Sequence, residues 1–435
     1  MPLLLRAVTL SLIGLASFRT LDAASAAATP KAPSLPAEVC PVPDQRPEVT
    51  YKANLDPKET AATEAWVKEA ATLPGWKELL NSPDTETRHC ANFLLVTMPA
   101  SDRQKVPGTA IAENIRLALE ARHRFPWAQQ VPWPIFLNDV LPYACLDEAR
   151  DPWRADFLKR FGDMVKDAPS RDAAAKLINK KIQDEVGVKY STRRRAANQS
   201  PPDSMRQGLA SCSGLSILLC DAFRSVGIPA RIAGVPTWVT VNGNHNWVEV
   251  WLGTDGAPKH DSEVTPMLSL QWQAGWRVTE YNPDAKGWDH AWFMERAAAA
   301  DPSKQETWIY ASSWTRTGLT FPMVWNLRST QVHGIDRTAA YHALNGGRKV
   351  PVAPDKTHIA LRAYRGDKRV AAEVTVTQGS TSQAATTKGE DKDLNDVTRV
   401  EVPAAGGKVT VKCGEVTRTI TPEAGKELTI ELRLP

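Results

Sequence analysis

The stretch from Gly208 to Pro283 constrains this 435-residue chain more than any other. It opens GLASCSGLSILLCDAFRSVGIPARIAGV, with the small residues Gly208, Ala210, Ser211, Ser213 and Gly214 around Cys212. Leu215, Leu218, Leu219, Ala222, Phe223 and Val226 then recur at helical spacing, and Gly227 and Pro229 end the run. Cys212 therefore falls in the first turn of a buried helix. Unpaired N–H groups and the positive end of the helix dipole favour a thiolate there. Two strand-like runs follow, Ala230 to Val235 and Asn246 to Trp251, with His245 heading the second. A third, Trp276 to Tyr281, carries Glu280. Thiol, imidazole and carboxylate arrive in that order, each at an element's end.

These residues resemble the transglutaminase-like superfamily of papain-like fold, which includes transglutaminases, peptide N-glycanases and microbial cysteine proteases. The resemblance lies in the small-residue turn at Cys212, in the G-I-P-A-R segment Gly227, Ile228, Pro229, Ala230 and Arg231, and in the H-x-W-x-E-V strand of His245, Trp247, Glu249 and Val250. The family's acid usually lies in W-x-x-x-D-P. Here that run reads Trp276, Arg277, Val278, Thr279, Glu280, Tyr281, with the proline displaced to Pro283. The acid position is thus open between Glu280 and Asp284. By this resemblance Cys212 is the nucleophile, His245 the base and Glu280 or Asp284 the orienting acid. His290, in WDHAWFME, is a rival histidine, but it follows the acid and so has the wrong chain order for the family. The family sometimes supplies a polar side chain upstream of the nucleophile to bind the oxyanion. Asn138 in IFLNDVLP is the candidate, against a helix-face asparagine that satisfies a turn.

The resemblance implies an α+β fold, a helix packed on an antiparallel sheet. The expected organisation is a signal peptide at 1–26, a linker at 27–47, a helical region at 48–165, the papain-like transglutaminase core at 166–330, a linker at 331–355 and a β-sandwich-like domain at 356–435. Arg6 before the apolar run Ala7 to Phe18, with Ala24-Ser25-Ala26 beyond it, reads as an export signal. That run is too short to span a membrane comfortably, so a periplasmic or secreted protein with no span in the mature chain is expected. Ala27 to Pro47 is rich in Ala and Pro. Amphipathic segments then fill Asp56 to Asp163, and Arg171 to Val186 reads as a further helix. From His358 onward, short alternating runs separated by Gly, Asp, Lys and Thr turns predict a small antiparallel sandwich without clustered catalytic residues, an accessory module.

A net charge of +4 is small for this length and argues against a nucleic-acid partner. Fifteen tryptophans stand out. Core packing is the expected role of most, with Trp238 and Trp247 as candidates for an aromatic cleft gripping peptide or sugar rings. Of six cysteines, reserving Cys212 as a thiol leaves an odd five, so at most two disulfides form. Cys40 with Cys90 or Cys145 is one pairing, and Cys220 reads as a packed thiol. No CxxC or His/Cys pair has metal spacing, so neither metal nor cofactor is expected. The chemistry implied is cysteine-dependent acyl transfer, with hydrolysis of a protein, peptide or peptidoglycan-type amide expected. The alternative is an inactive exported module that recognises a peptide or glycan on the same scaffold.

Overall fold

The computed structural model describes residues 57–239, 243–253, 275–281, 287–326, 328–344 and 355–435. The export signal, the Ala/Pro linker, Cys40 and Asp284 lie outside the described residues, as does much of the 331–355 linker.

Among the described residues, six helices come first: α1 Pro57–Ala70, α2 Trp76–Leu80, α3 Thr85–Thr97, α4 Gly108–Arg124, α5 Pro126–Gln129 and α6 Trp133–Asp139. They close on Trp66, Trp76, Phe93, Leu94, Ile111, Ile115, Trp133 and Phe136, all buried. Two longer helices follow, α7 Arg154–Val165 and α8 Arg171–Val186. Ser170 caps α8 by accepting the Ala173 N–H at 3.2 Å, and Gly187 ends it in the left-handed region at φ 68°. A two-residue strand β1, Lys189–Tyr190, pairs in parallel with β2, Leu209–Ala210, around the short helix α9, Pro201–Gln207.

Helix α10, Cys212–Ser225, is the centre of the molecule. Its apolar residues dominate, and its polar ones bond inward, Ser213 and Ser216 to Asn246 and Arg224 to the Asp139, Ala144 and Ala230 carbonyls, so it is enclosed on every side. Every residue from Ser213 to Ser225 is buried. It packs between α7 and α8 on one side and, on the other, strands β3, Ala230–Val235, and β4, His245–Trp251. Ile217, Leu218, Leu219 and Phe223 are wholly buried, each contributing about 1.5–3 kcal/mol of transfer free energy. Gly227 ends the helix at φ 74°, where a Cβ would stand 2.3 Å from the Ala128 Cβ. Only glycine meets both demands.

The central sheet has the order β5-β4-β3-β6-β7, with β5 Trp276–Thr279, β6 Tyr310–Ser313 and β7 His333–Asp336, and every pairing is antiparallel. The register sets Val235 opposite His245 and Arg231 opposite Glu249. Because successive residues face opposite sides, Ile232, Val248 and Val250 meet α10 while Ala233, Trp247 and Val278 meet a separate cluster with Phe293 and Tyr341. Tyr341 belongs to α12, Thr338–Leu344, and a short α11, Met294–Ala297, precedes β6. The fold is the α+β arrangement of helix on antiparallel sheet.

Residues 356–434 form two further sheets that enclose Ile359, Leu361, Val374, Val376, Val409, Val411 and Leu432. One holds β8 Lys356–Arg365, β9 Lys368–Val370, β12 Thr398–Pro403 and β15 Lys426–Leu434. The other holds β10 Glu373–Gln378, β11 Thr381–Thr386, β13 Val409–Cys413 and β14 Val416–Ile420. Three details differ from the sequence reading. Strand β15 runs parallel to β8, so this sandwich is mixed rather than purely antiparallel. The run from Arg369 is broken at Ala371-Ala372, and β11, TSQAAT, lies almost wholly exposed with no apolar alternation to announce it. Among the described residues no helix is long and apolar enough to cross a membrane.

Candidate active site

Cys212 is the first residue of α10, and it alone of that helix is partly exposed. The small residues before it have specific work. Ser211 is the N-cap, its hydroxyl accepting the Gly214 N–H at 3.2 Å while donating to the Ala197 carbonyl at 2.5 Å. Ser213 accepts a hydrogen bond from the Asn246 amide at 2.7 Å, and Ser216 donates to the Asn246 carbonyl at 3.1 Å. The helix start is thereby fastened to the strand residue that follows His245. Gly234, opposite Asn246, leaves room for this, since a Cβ there would sit 2.0 Å from the Asn246 side-chain oxygen.

His245 is almost wholly buried among aromatic rings, with centroids 5.0 Å from Trp292 and Phe293 and 5.7 Å from Trp247. Its two nitrogens face two carboxylates. Nε2 lies 3.6 Å from Glu280 and Nδ1 lies 3.5 Å from Asp393. The Cys212 sulfur, a His245 ring nitrogen and an Asp393 oxygen all fall within 4.8 Å of one another. Burial pushes the imidazole toward its neutral form. Asp393, then Cys212 and Glu280, overcome that and hold it charged well above the ordinary histidine range. Burial likewise disfavours the Asp393 carboxylate, but His245 and the Asn395 donors hold its pKa below the usual value.

Glu280 follows β5 directly. The Trp292 indole donates to its carboxylate at 3.1 Å, and Asn179 of α8 donates to its backbone carbonyl at 2.9 Å. Cys212, His245 and Glu280 line one pocket of about 260 Å³ with Tyr190, Trp292 and Asp393. The Tyr190 hydroxyl accepts the Leu394 N–H at 3.2 Å, which leaves its own proton for the pocket. Burial, with Asp393 and Cys212 nearby, raises the Tyr190 pKa and keeps it a donor. The structure therefore brings Cys212, His245 and Glu280 together. His290 is exposed and does not line this pocket.

Three other sequence candidates take different places. Asn138 is buried, and its carbonyl oxygen accepts from the Ser313 hydroxyl and from the Trp314 and Thr315 N–H groups at 3.1, 3.0 and 2.8 Å. With its amide donating to Asp139 at 3.0 Å, it fixes the turn after β6 and supplies nothing to the pocket. Trp238 and Trp247 are buried and stacked, 6.2 Å apart with planes 6° from parallel, and the Trp247 indole donates to the Tyr341 hydroxyl at 2.6 Å. They form a wall behind His245, not a cleft for rings.

The motif's charged residues are scaffold. Arg231 and Arg337 converge on the fully buried Glu249 at 2.7 and 3.0 Å, and the Arg231 guanidinium stacks 3.8 Å over Trp276. The five described cysteines are all thiols. A second group, Cys145, Glu148 and Asp221, gathers behind α10, with the Cys145 thiol donating to Asp221 at 3.3 Å. Both groups offer S, N or O donors of the kinds metals take. At the second, the Arg224 guanidinium stands 3.6 Å from the Cys145 sulfur.

Asp393 is the residue that sequence reading missed. It lies in GEDKDLND, a charge run of the kind that normally forms a solvated turn. Nothing local marks it, because its partner belongs to another sheet.

Residues 160–266 match the family model of the transglutaminase-like superfamily. No curated protein matches. Among solved structures, a red sea bream transglutaminase matches at 10% identity, over 65% of this chain and 58% of its own, with a TM-score of 0.24. This chain thus spans little more than half of that enzyme's length. Residues 160–266, which hold both Cys212 and His245, are the part of the chain that is similar to the transglutaminase-like superfamily.

Proposed function

We propose that the protein is a cysteine-dependent acyl-transfer enzyme that hydrolyses amide bonds of proteins or peptides. The observation that carries this reading is Cys212 at a helix start beside a buried His245 whose far nitrogen faces Glu280. The Cys212 thiolate attacks the amide carbonyl carbon. The C–N bond breaks as His245 gives its proton to the leaving amine. Water then adds to the thioester, passing a proton to His245, and the carboxylic acid leaves as the thiolate is restored. Glu280 orients the ring and offsets its charge, as third members of triads do. The oxyanion is received by the Cys212 N–H, an unpaired first-turn donor, and by the Tyr190 hydroxyl in place of Asn138. Water is the acyl acceptor in this reading, and an amine is the competing one. The expected setting remains export, from the Arg6 to Ala26 pattern, with cell-wall amides in reach.

The test is the pH dependence of iodoacetamide labelling at Cys212, read by mass spectrometry in wild type and in His245→Ala. An apparent thiol pKa below the ordinary range that rises on removing His245 supports the reading. An ordinary value unmoved by the substitution overturns it and leaves the inactive binding module. Incorporation of a fluorescent primary amine into casein faster than peptide amide hydrolysis would overturn water as the acceptor.

A further inference from the structure

The loop that carries Asp393 is built to present it. Arg369, buried in the sandwich, spends its guanidinium on five backbone carbonyls of one loop: Gly389 at 3.0 Å, Lys392 at 2.6 Å, Asp393 at 2.9 Å, and Leu394 and Asp396 both at 3.4 Å. Asn395 donates to the Asp393 carboxylate from its backbone at 2.8 Å and from its side chain at 3.1 Å. The same side chain donates at 2.8 Å to the carbonyl of Asn244, the residue before His245. Leu394 is tied to Tyr190, Glu390 to Arg193 at 3.3 Å, and Glu427 to Arg296 at 2.8 Å, so the sandwich is fastened to the core around this loop. The result is a carboxylate at Nδ1, on the side of the ring away from Glu280 and close to the Cys212 sulfur.

We infer that Asp393, contributed by the C-terminal sandwich, is a positioning residue of the acyl-transfer site, holding the His245 ring through Nδ1 and setting the pH range in which Cys212 and His245 form a thiolate–imidazolium pair. This rests on the proposed function. The geometry makes the effect directional. A carboxylate beside the pair stabilises every protonated state of it, the thiol as well as the imidazolium, by simple attraction and repulsion. The sandwich therefore completes the site, and Asp393 displaces the working pH upward. Among the described residues, the other titratable groups lining the pocket are Glu280 beyond β5, Lys189 and Tyr190 of β1, and Asp391, Lys392 and Asp396 of the same loop. All of them remain in a variant that loses Asp393 alone.

The experiment is the labelling profile of Cys212 in Asp393→Asn and Asp393→Glu, in the full chain, with thermal unfolding as the control for folding. Asp393→Asn should carry both limbs of the pair's titration to lower pH by about 1–3 units, the size of a charge at this range. Labelling on the acid limb then rises about ten-fold per unit. Asp393→Glu should restore most of the wild-type profile. A folded Asp393→Asn with the wild-type profile, or one shifted upward, overturns the inference. Where Asp393→Asn does not fold, nitrogen NMR of the wild-type histidine rings decides. Both His245 nitrogens protonated at pH 7 support the pairing, and a neutral tautomer there overturns it. An ordinary wild-type thiol pKa that His245→Ala leaves in place would defeat the functional reading itself. A His245-dependent profile indifferent to Asp393 defeats only this inference.

Discussion

Replacing Glu249 by glutamine removes one charge from the middle of the sheet without changing its shape. The wild-type carboxylate is fully buried, with Arg231 and Arg337 on its two oxygens, and both guanidinium groups are themselves buried. Burial alone would push Glu249 toward its neutral form, but the two arginines hold it ionised and its pKa is lowered. Glutamine offers one acceptor oxygen and turns an amide donor toward the second arginine. The two buried cations then lose the one carboxylate that both contact, and Asp139, the other acid acting on Arg231, offsets only part of their charge. Breaking a buried pair in this way costs about 3–5 kcal/mol, far more than the pair's net worth against apolar replacements. The stated expectation is a fall of that size in unfolding free energy, read as a lower midpoint in urea at unchanged slope. The triple replacement Arg231→Met, Glu249→Leu, Arg337→Met should cost less than the single change, because both guanidinium groups leave with their carboxylate and Asp139 keeps Arg224 as its counter-charge. A loss below about 1 kcal/mol for Glu249→Gln, or a triple variant less stable than the single one, would refute this account of the sheet.

His89 is buried against Trp133, with centroids 5.2 Å apart, and burial lowers its pKa to about 4 from 6.5. A histidine depressed on folding gives stability that is present above pH 6.5 and lost as pH falls through that window toward 4, up to about 3 kcal/mol. His89→Phe should flatten that acid slope, and an unchanged dependence of the unfolding midpoint between pH 4 and 6.5 would contradict it. Asn138→Ala orphans the Trp314 and Thr315 N–H groups, while the Ser313 hydroxyl keeps the Thr315 carbonyl, and should cost about 2–4 kcal/mol in thermal unfolding while leaving the Cys212 labelling profile in place. A changed profile in that folded variant would return Asn138 to the site.

What the chain disclosed and what it concealed divide along a physical line. The helix at Cys212 and the strands at Ala230 and His245 were legible because periodicity, a cap and a terminating glycine are written within a few residues of each other. Arg231 and Glu249 read only as motif letters, since their opposition depends on strand register. Trp238 and Trp247 read as cleft or core with equal grammar, for an aromatic side chain suits either until burial is known. Asp284 lies outside the described residues, and Glu280 stands 3.6 Å from Nε2 of His245. Asn138 sits among apolar neighbours in the sequence, which signals burial but not which turn its amide serves. Asp393 was beyond reach for a different reason. Its environment is created by Arg369 and by a docking contact between distant parts of the chain, and a charged turn carries no trace of either.

The parallel pairing of β15 with β8 also bears on the order in which the molecule is made. Residues 426–434 align with 357–365, so the strand that closes this sheet is translated well after the loop containing Asp393. Until it arrives, β8 lacks one of its long neighbours, and Glu427, which binds both Arg296 and Arg399, has not been made. The nucleophile helix and its sheet can assemble earlier, from contacts among residues already synthesised. A ribosome-bound chain stopped before Lys426 would thus hold a folded core whose thiol and imidazole had met, without the carboxylate at Nδ1. Under the pairing inferred above, the reactivity of Cys212 would change once that strand had left the ribosome and paired with β8.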